Sequence, residues 1–585
     1  MKQFLKYVLA TVVGLLVTGA VLTVAGLATL GSLVAVGSAT TEVTDGAVLR
    51  LRLTGEVTER VTDNPLNTLM GADAEATGLD ELLAAIRIAA DDDRIDGIYL
   101  EGGVLLASPA TLEELRDALV AFKRSGKFVV AYGDNYSQGA YYVASVADRV
   151  VLNPSGMLDW HGFAATPVFY KDLLEKVGVR MQVYRVGTYK SYVEPYTLTA
   201  MSEASRKQID AYLRDIWSRI CHEVAASRRV KVDSLNAYAD RYTLLADARD
   251  YVRQGLVDTL AYVDGVRELL RQRVGTDKLT LVAPRDVVAL EPERPDTESE
   301  IAVYYAHGDI VGTRIEGLGS TELIVAPDVV ADLDRLASDD RVKAVVLRIN
   351  SGGGSAYASE QMWRAVQLLK QRKPVVVSMG GTAASGAYYL ACGAHCIYAE
   401  PTSLTGSIGI FGMIPDASGL LTDKLGLHFD VVKTNEASDF GTVGRPFNAA
   451  EGAAMQAYVD RGYALFLRRV AAGRGMKPQQ VDSIAQGRVW TGRQAKAIGL
   501  VDYLGSLSDA VTHAALRAKT DDYTVKAYPA RRPWYADMWA DRGEGYFEQE
   551  LRAVLGSYYR PLVFLKSLQG TDCLQARLPY ELNLH

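Results

Sequence analysis

The sequence predicts an α/β protein built as a tandem duplication of one domain and preceded by one N-terminal transmembrane helix. Three observations predict it. No charged side chain occurs between Lys6 and Glu42, a series of matches recurs at an offset of 247 residues, and each copy alternates short β-branched runs with helical patterns. At 585 residues, 49% hydrophobic and 23% charged, the chain is too long for one ordinary core and too apolar to remain disordered.

The N-terminal element comes first. Its uncharged stretch is rich in Leu, Val, Ala and Gly. A hydrocarbon core of about 30 Å needs roughly 20 apolar residues in a helix, whereas a secretory signal has an apolar region of roughly 7 to 15. An uncleaved signal anchor over residues 1–46 is therefore expected. Lys2 and Lys6 precede the span while Glu42 and Asp45 follow it, so the basic flank stays cytoplasmic and the remainder is exported. The alternative is a long cleaved signal ending near Gly37, Ser38 and Ala39, and it too puts the bulk of the chain outside the cytoplasm.

Composition excludes some classes. With 63 basic against 70 acidic residues, a formal net charge of −7, the chain has no overall positive field, and nucleic acid is not an expected partner. Four cysteines, Cys221, Cys392, Cys396 and Cys573, cannot provide the disulfide framework of so large a protein.

The duplication rests on matched segments. Asp93-Arg94-Ile95 and its apolar run to Leu100 match Asp340-Arg341-Val342 and the run to Leu347. At the same offset Phe128-Val129-Val130 falls on Val375-Val376-Val377, and Gly139-Ala140-Tyr141-Tyr142 falls on Gly386-Ala387-Tyr388-Tyr389. Gly255-Leu256-Val257-Asp258 matches Gly499-Leu500-Val501-Asp502 at an offset of 244, so each copy extends over roughly 200 residues. The polar, proline-bearing segment 291–300 reads as a surface linker between a first repeat, 47–290, and a second, 301–519. Residues 520–585 remain as a C-terminal tail. Runs such as Ala344 to Ile349 and Pro374 to Ser378 are continuously apolar apart from single polar residues, as suits a sheet covered on both faces by helices such as Ser359 to Gln371.

A duplication acts as its own control, because a residue present in one copy and replaced in the other is not demanded by the shared fold. The strand ending at Ile349 runs into Asn350-Ser351-Gly352-Gly353-Gly354-Ser355, where the first copy has Gly103-Val104-Leu105-Leu106-Ala107. Such glycines expose successive N–H groups that can stabilise an oxyanion, or simply form a tight turn. Ser385 replaces Gln138 of the first copy, as a nucleophile or as a helix N-cap. Lys190 of the first copy aligns with Ser438 of the second, as a base or as a solvated lysine. The copies have diverged in opposite directions, as expected if one composite site forms where they meet.

Arg348-Ile-Asn-Ser-Gly-Gly-Gly-Ser355, Ala384-Ser385-Gly386, Thr405-Gly-Ser-Ile-Gly409 and Tyr189-Lys-Ser-Tyr-Val-Glu-Pro195 together resemble the signature segments of signal peptide peptidase A, in its long, duplicated form. The similarity covers about Val48 to Ser506. It implies a ClpP/crotonase-like fold in each repeat, Ser385 as nucleophile, Lys190 as general base, Ser407 as the hydroxyl orienting the lysine amine, and Gly353 and Gly354 as oxyanion donors. It also implies peptide substrates (spent signal peptides and unfolded membrane-associated segments), a homo-oligomer with a tetramer as one candidate, no cofactor and no metal. The address it implies is the bacterial inner membrane, with the catalytic part on the periplasmic side. One departure is Gly352, which stands where the family carries proline.

The chemistry is coherent, since a lysine can deprotonate a serine only when neutral and an exposed lysine, with a pKa of about 10.4, is mostly charged. Burial between apolar repeats would depress that value. His395 lies ten residues beyond Ser385 in an expected helix, about 15 Å of rise away, and so is not read as a triad member. Cys392 and Cys396 flank it without a companion ligand pair and read as buried thiols. The aromatic stretch from Trp534 through Trp539 and Phe547 to Tyr559 suits a membrane interface, a subunit contact or core capping alike. Two alternatives to a protease remain at this point, a crotonase-type acyl-thioester enzyme and a catalytically silent membrane scaffold.

Overall fold

The computed structural model describes residues 41–61, 76–291, 298–313, 323–442, 444–531 and 574–578, with residues 6, 7, 11, 13, 14, 18 and 19. The anchor expected over residues 1–46 lies almost wholly outside them, as does the aromatic stretch of the tail. Among the described residues no helix is long and apolar enough to cross a membrane.

The first repeat runs β1 (Ala47–Thr58), β2 (Ile95–Leu106), α1 (Pro109–Lys123), β3 (Phe128–Tyr136), α2 (Gln138–Ala144), β4 (Arg149–Leu158), β5 (Arg180–Arg185) and α3 (Glu203–Arg228). Strands β1 to β4 lie side by side in chain order and all pair in parallel. Parallel neighbours need crossovers, and the crossovers are the helices that bury Leu49, Ile98, Leu100 and Val129 completely. Ser108 caps α1, its Oγ accepting from Thr111 N, and a proline at the first turn fits where no N–H is needed.

The second repeat runs β6 (Glu300–His307), β7 (Val342–Ser351), β8 (Gly353–Ser355), α4 (Ala356–Lys370), β9 (Val375–Ala384), α5 (Gly386–Ala391), β10 (Leu404–Gly406), β11 (Phe411–Asp416), β12 (Thr524–Tyr528) and β13 (Leu574–Arg577). Its main sheet has the order β12-β6-β7-β9-β10, with Val489–Thr491 antiparallel at the β10 edge. Strand β12 and strand β13 both come from the segment read as a tail, and Glu300, the last linker residue, opens β6.

A third sheet joins the copies, in the order Leu323–Val325, Asp309–Val311, β8, β13, β11, β5. Six residues of β5, from the first repeat, pair antiparallel with β11 of the second, from Phe411↔Arg185 to Asp416↔Arg180. A buried ionic network adds to the junction. Arg348 on β7 reaches Glu59 with Nε at 2.8 Å and Glu114 with Nη2 at 2.6 Å, and Glu113 accepts from both Thr402 N and Thr402 Oγ1.

One expectation changes. The helix after Ser385 ends at Ala391, two residues before Gly393, so His395 is not carried along a helix. Its Nδ1 instead accepts from Val375 N at the start of β9, the end opposite to Ser385.

Candidate active site

Ser385 sits where β9 passes into α5, and its backbone is strained. Its φ of 56° and ψ of −112° lie outside the regions that side-chain-bearing residues favour, a conformation costing about 1–3 kcal/mol and persisting only where the surroundings over-determine it. Those surroundings are visible. Ser385 N donates to Gly406 O at 2.8 Å, and Ser385 O accepts from Tyr389 N at 2.9 Å. The side chain makes no capping bond to α5, so the hydroxyl is free of the role a serine at a helix start usually plays.

Lys190 arrives from the other repeat. Strand β5, held on β11, ends at Arg185, and a turn brings Lys190 to the start of the short helix Ser191–Val193. Close approach requires glycine twice. A Cβ at Gly487 would lie 2.6 Å from Lys190 N, and one at Gly409 would lie 3.2 Å from Lys190 Cδ. Gln208 on α3 fixes the turn, donating Nε2 to Tyr189 O at 2.9 Å and accepting from Val489 N at 3.2 Å.

The three side chains meet. Lys190 Nζ lies 2.7 Å from Ser385 Oγ, 3.0 Å from Ser407 Oγ and 3.1 Å from Ser407 O. All three residues are fully buried. A neutral amine has two N–H donors and one lone pair. The carbonyl and hydroxyl of Ser407 accept the two donors, which leaves the lone pair facing the Ser385 hydroxyl. Burial pushes the Lys190 ammonium well below its ordinary value. Ser407 is itself held at a φ of 48°, with its N–H donating to Arg488 O at 2.7 Å.

The glycine loop lies alongside. A Cβ at Gly353 would stand 2.8 Å from Gly386 N and 3.1 Å from Ala384 O, so the loop touches the backbone on both sides of Ser385. Gly353 has a φ of 102°, and its N–H donates to Ser351 Oγ at 3.1 Å. A Cβ at Gly354 would fall 2.1 Å from Ile310 O, so no other residue fits. Ser438, read from the sequence as the counterpart of Lys190, is in an exposed turn where its Oγ accepts from Asn435 N, and the 247-residue offset places its neighbour Ala437, in the same turn, opposite Lys190. Cys392 and Cys396 are buried free thiols.

Sequence reasoning missed the supports of this site. Asn350, one residue before the glycine loop's Ser351, donates to Glu59 and accepts from Thr382 N, and Arg348 is clasped by Glu59 and Glu114. A charged residue inside the apolar run Val345 to Ile349 was the available signal, because a buried guanidinium requires carboxylates. Gly487 and Gln208 carried no signal, since each matters only through a neighbour distant in sequence.

The model of peptidase family S49 matches residues 121–277 and 367–521, one stretch in each repeat. The Clp protease model matches residues 313–403, giving the second repeat a ClpP-like fold. Protease 4 of Salmonella typhi is 37% identical over 530 residues, covering 87% of this chain and 84% of that protein. Protease 4 of Haemophilus influenzae is 37% identical over 480 residues, covering 78% and 75%. The chloroplastic serine protease SPPA of Arabidopsis thaliana is 30% identical over 482 residues, covering 81% and 69%.

Proposed function

The chain belongs to peptidase family S49 and is a serine protease, and on that premise we propose that Ser385 and Lys190 form its catalytic dyad. The observation that carries this reading is the 2.7 Å separation of Lys190 Nζ from Ser385 Oγ, with the amine buried and its charge disfavoured. Membership of a peptidase family displaces the acyl-thioester and silent-scaffold alternatives.

As Ser385 Oγ bonds to the scissile carbonyl carbon, its proton passes to Lys190 Nζ. The oxyanion is met by the amides of Gly353 and Gly354, with Gly353 exchanging its bond to Ser351, and by the amide of Gly386, the residue following the nucleophile. Breakage of the C–N bond returns the proton from Lys190 to the leaving amine. Water then attacks the acyl-enzyme ester, giving its proton to Lys190 and hence to Ser385. Ser407 keeps the amine aimed throughout.

The substrates are spent signal peptides and unfolded membrane-associated segments, cut on the periplasmic side of the bacterial inner membrane by an enzyme anchored through residues 1–46. The apolar, uncharged N-terminal segment supports this address. The protein works as a homo-oligomer, with a tetramer as one candidate, and the duplication supports that. Strand β5 pairs with β11 within the chain, but the repeat offset carries β11 to 164–169 and β5 to 427–432, and neither of those stretches is in a strand. The second stretch leaves Leu427, Phe429, Val431 and Val432 exposed, Val432 almost completely. Pairing 427–432 of one copy with 164–169 of the next repeats the internal joint head to tail, the kind of contact that closes into rings. Val432→Asp is accordingly expected to reduce the particle mass measured by light scattering.

The dyad is tested by comparing wild type with Ser385→Ala and Lys190→Ala on unfolded casein and a fluorogenic peptide. Each variant is expected to lose activity by on the order of 10³-fold or more. Cleavage at the wild-type rate by both would remove the dyad.

A further inference from the structure

The third sheet contains a strand from the far end of the chain. Strand β13 lies between β8 and β11 and pairs antiparallel with both, through Gly353↔Arg577, Gly354↔Ala576 and Ser355↔Gln575 on one side and Phe411↔Gln575 and Gly412↔Leu574 on the other. Leu578 N adds a bond to Gly352 O at 2.7 Å. The strands that flank the catalytic serine therefore leave a slot one strand wide, and Leu574–Leu578 fills it by adding a strand to an edge on each side.

The seat has a definite register. The Ala576 carbonyl oxygen lies 2.1 Å from where a Cβ at Gly353 would be and 3.2 Å from where one at Gly386 would be. It thus lies against the glycine loop and the residue after Ser385, the two places from which oxyanion donors are drawn. Leu574 and Ala576 join the core of the second repeat, and Leu578 joins the core of the first beside Ala384, so every second side chain points inward. Arg577 points the other way, where Nη1 donates to Asp309 Oδ2 at 2.8 Å. Asp309 stays half exposed while Arg577 is largely covered.

We propose that this cleft takes an extended peptide in the register Leu-Gln-Ala-Arg-Leu, cut after the alanine, with Asp309 selecting the basic residue that follows, and that Leu574–Leu578 is the chain's own competitor for the cleft. The inference rests on the protease reading above. The alanine is small because its side chain is fully buried in the core of the second repeat, while its carbonyl lies against Gly353 and Gly386. The competitor explains why Ser385 and Lys190 are both fully buried with the segment in place. Its departure exposes the slot to an incoming substrate strand.

Two quenched fluorogenic peptides test this on the full chain, one containing Leu-Gln-Ala-Arg-Leu and the other Leu-Gln-Ala-Glu-Leu. Cleavage after alanine is expected, with kcat/KM at least about tenfold higher for the arginine peptide, and Asp309→Lys is expected to reverse the preference. Equal rates on both peptides, or a preference untouched in Asp309→Lys, overturn the selection by Asp309 while the cleavage itself upholds the protease reading. If wild type cuts neither peptide but digests casein, the register is wrong and the protease reading survives. If casein is also untouched, that reading fails and this one with it. For the competitor, Arg577→Glu is expected to lower KM severalfold at unchanged kcat, and Ala576→Trp, whose indole cannot seat in the core where Ala576 is fully buried, to do the same. Unchanged KM in both variants shows that the segment does not compete.

Discussion

The two repeats share a strand-to-helix turn and use it in opposite ways. In the first, Ser137 has an ordinary extended backbone and caps α2 through Ala140 N, while its Oγ also accepts from Leu105 N. The next residue, Gln138, is buried and fills the space above the helix, its Oε1 accepting from His161 N and Gly162 N and its Nε2 donating to Gly162 O. In the second, Ala384 cannot cap, Ser385 is strained at positive φ, and the helix start is left to face Lys190. The position matching Ser407 is Trp160 in the first repeat, the largest fully buried side chain among the described residues. The first copy has given the polar groups of this turn hydrogen-bond partners and fills the place of Ser407 with an indole. The second keeps a strained serine and receives from the first a buried amine whose charge is disfavoured, and both features cost stability.

The largest separation between the copies is expected at the aligned pair Ser385 and Gln138. Ser385→Ala is expected to remove nearly all turnover, as above. Gln138→Ala leaves the buried N–H and carbonyl of Gly162 without their side-chain partner and is expected to destabilise the fold by about 1–3 kcal/mol in urea unfolding, with kcat retained. Loss of kcat in Gln138→Ala without loss of stability would break the comparison.

Next in size is the pair Arg348 and Glu101, which share a place in the two sheets. Arg348 is buried between two carboxylates, whereas Glu101 is half-buried and meets Arg50 and Arg52 near the surface. Arg348→Met strands Glu59 and Glu114 and is expected to cost about 3–5 kcal/mol. Glu101→Gln is expected to cost about 1 kcal/mol or less, because water already screens that pair.

The smallest effects are those of pH. Burial pushes the folded pKa of Lys190 below its ordinary value, so on the proposed mechanism the neutral amine persists to lower pH than that of an exposed lysine, and kcat is expected to fall as pH drops through the lowered pKa. Lys190→Met, which no longer buries an amine, is expected to unfold no earlier than wild type at pH 7 while being inactive. Glu113 moves the other way, since burial, with Glu223 nearby, raises it to about 7. Its raised folded pKa favours the native state below the ordinary carboxylate range and is lost as pH rises through about 7. The free energy of unfolding should therefore fall from the ordinary carboxylate range up to about pH 7, by up to about 1.4 kcal/mol per pH unit, and level off above it, and Glu113→Gln should flatten that slope.

The sequence by itself determined the duplication, the α/β class and the identity of the residues that meet. Local apolar patterning dictates strands and helices, and two copies of one pattern reveal which residues the fold did not require. Ser385, Lys190 and the glycine loop were legible for that reason, and Ser407 through the resemblance of Thr405-Gly-Ser-Ile-Gly409 to a family signature segment. Tertiary structure decided the rest, because it depends on contacts between residues far apart in the chain. The placement of Lys190 over Ser385 depends on β5 pairing with β11 and on the absence of a Cβ at Gly487. The clasp of Arg348 depends on carboxylates about 230 and 290 residues away. The seating of Leu574–Leu578 beside the nucleophile follows from a slot whose two walls come from separate strands of the second repeat, and backbone hydrogen bonds, which any sequence can make, leave little trace in side-chain pattern.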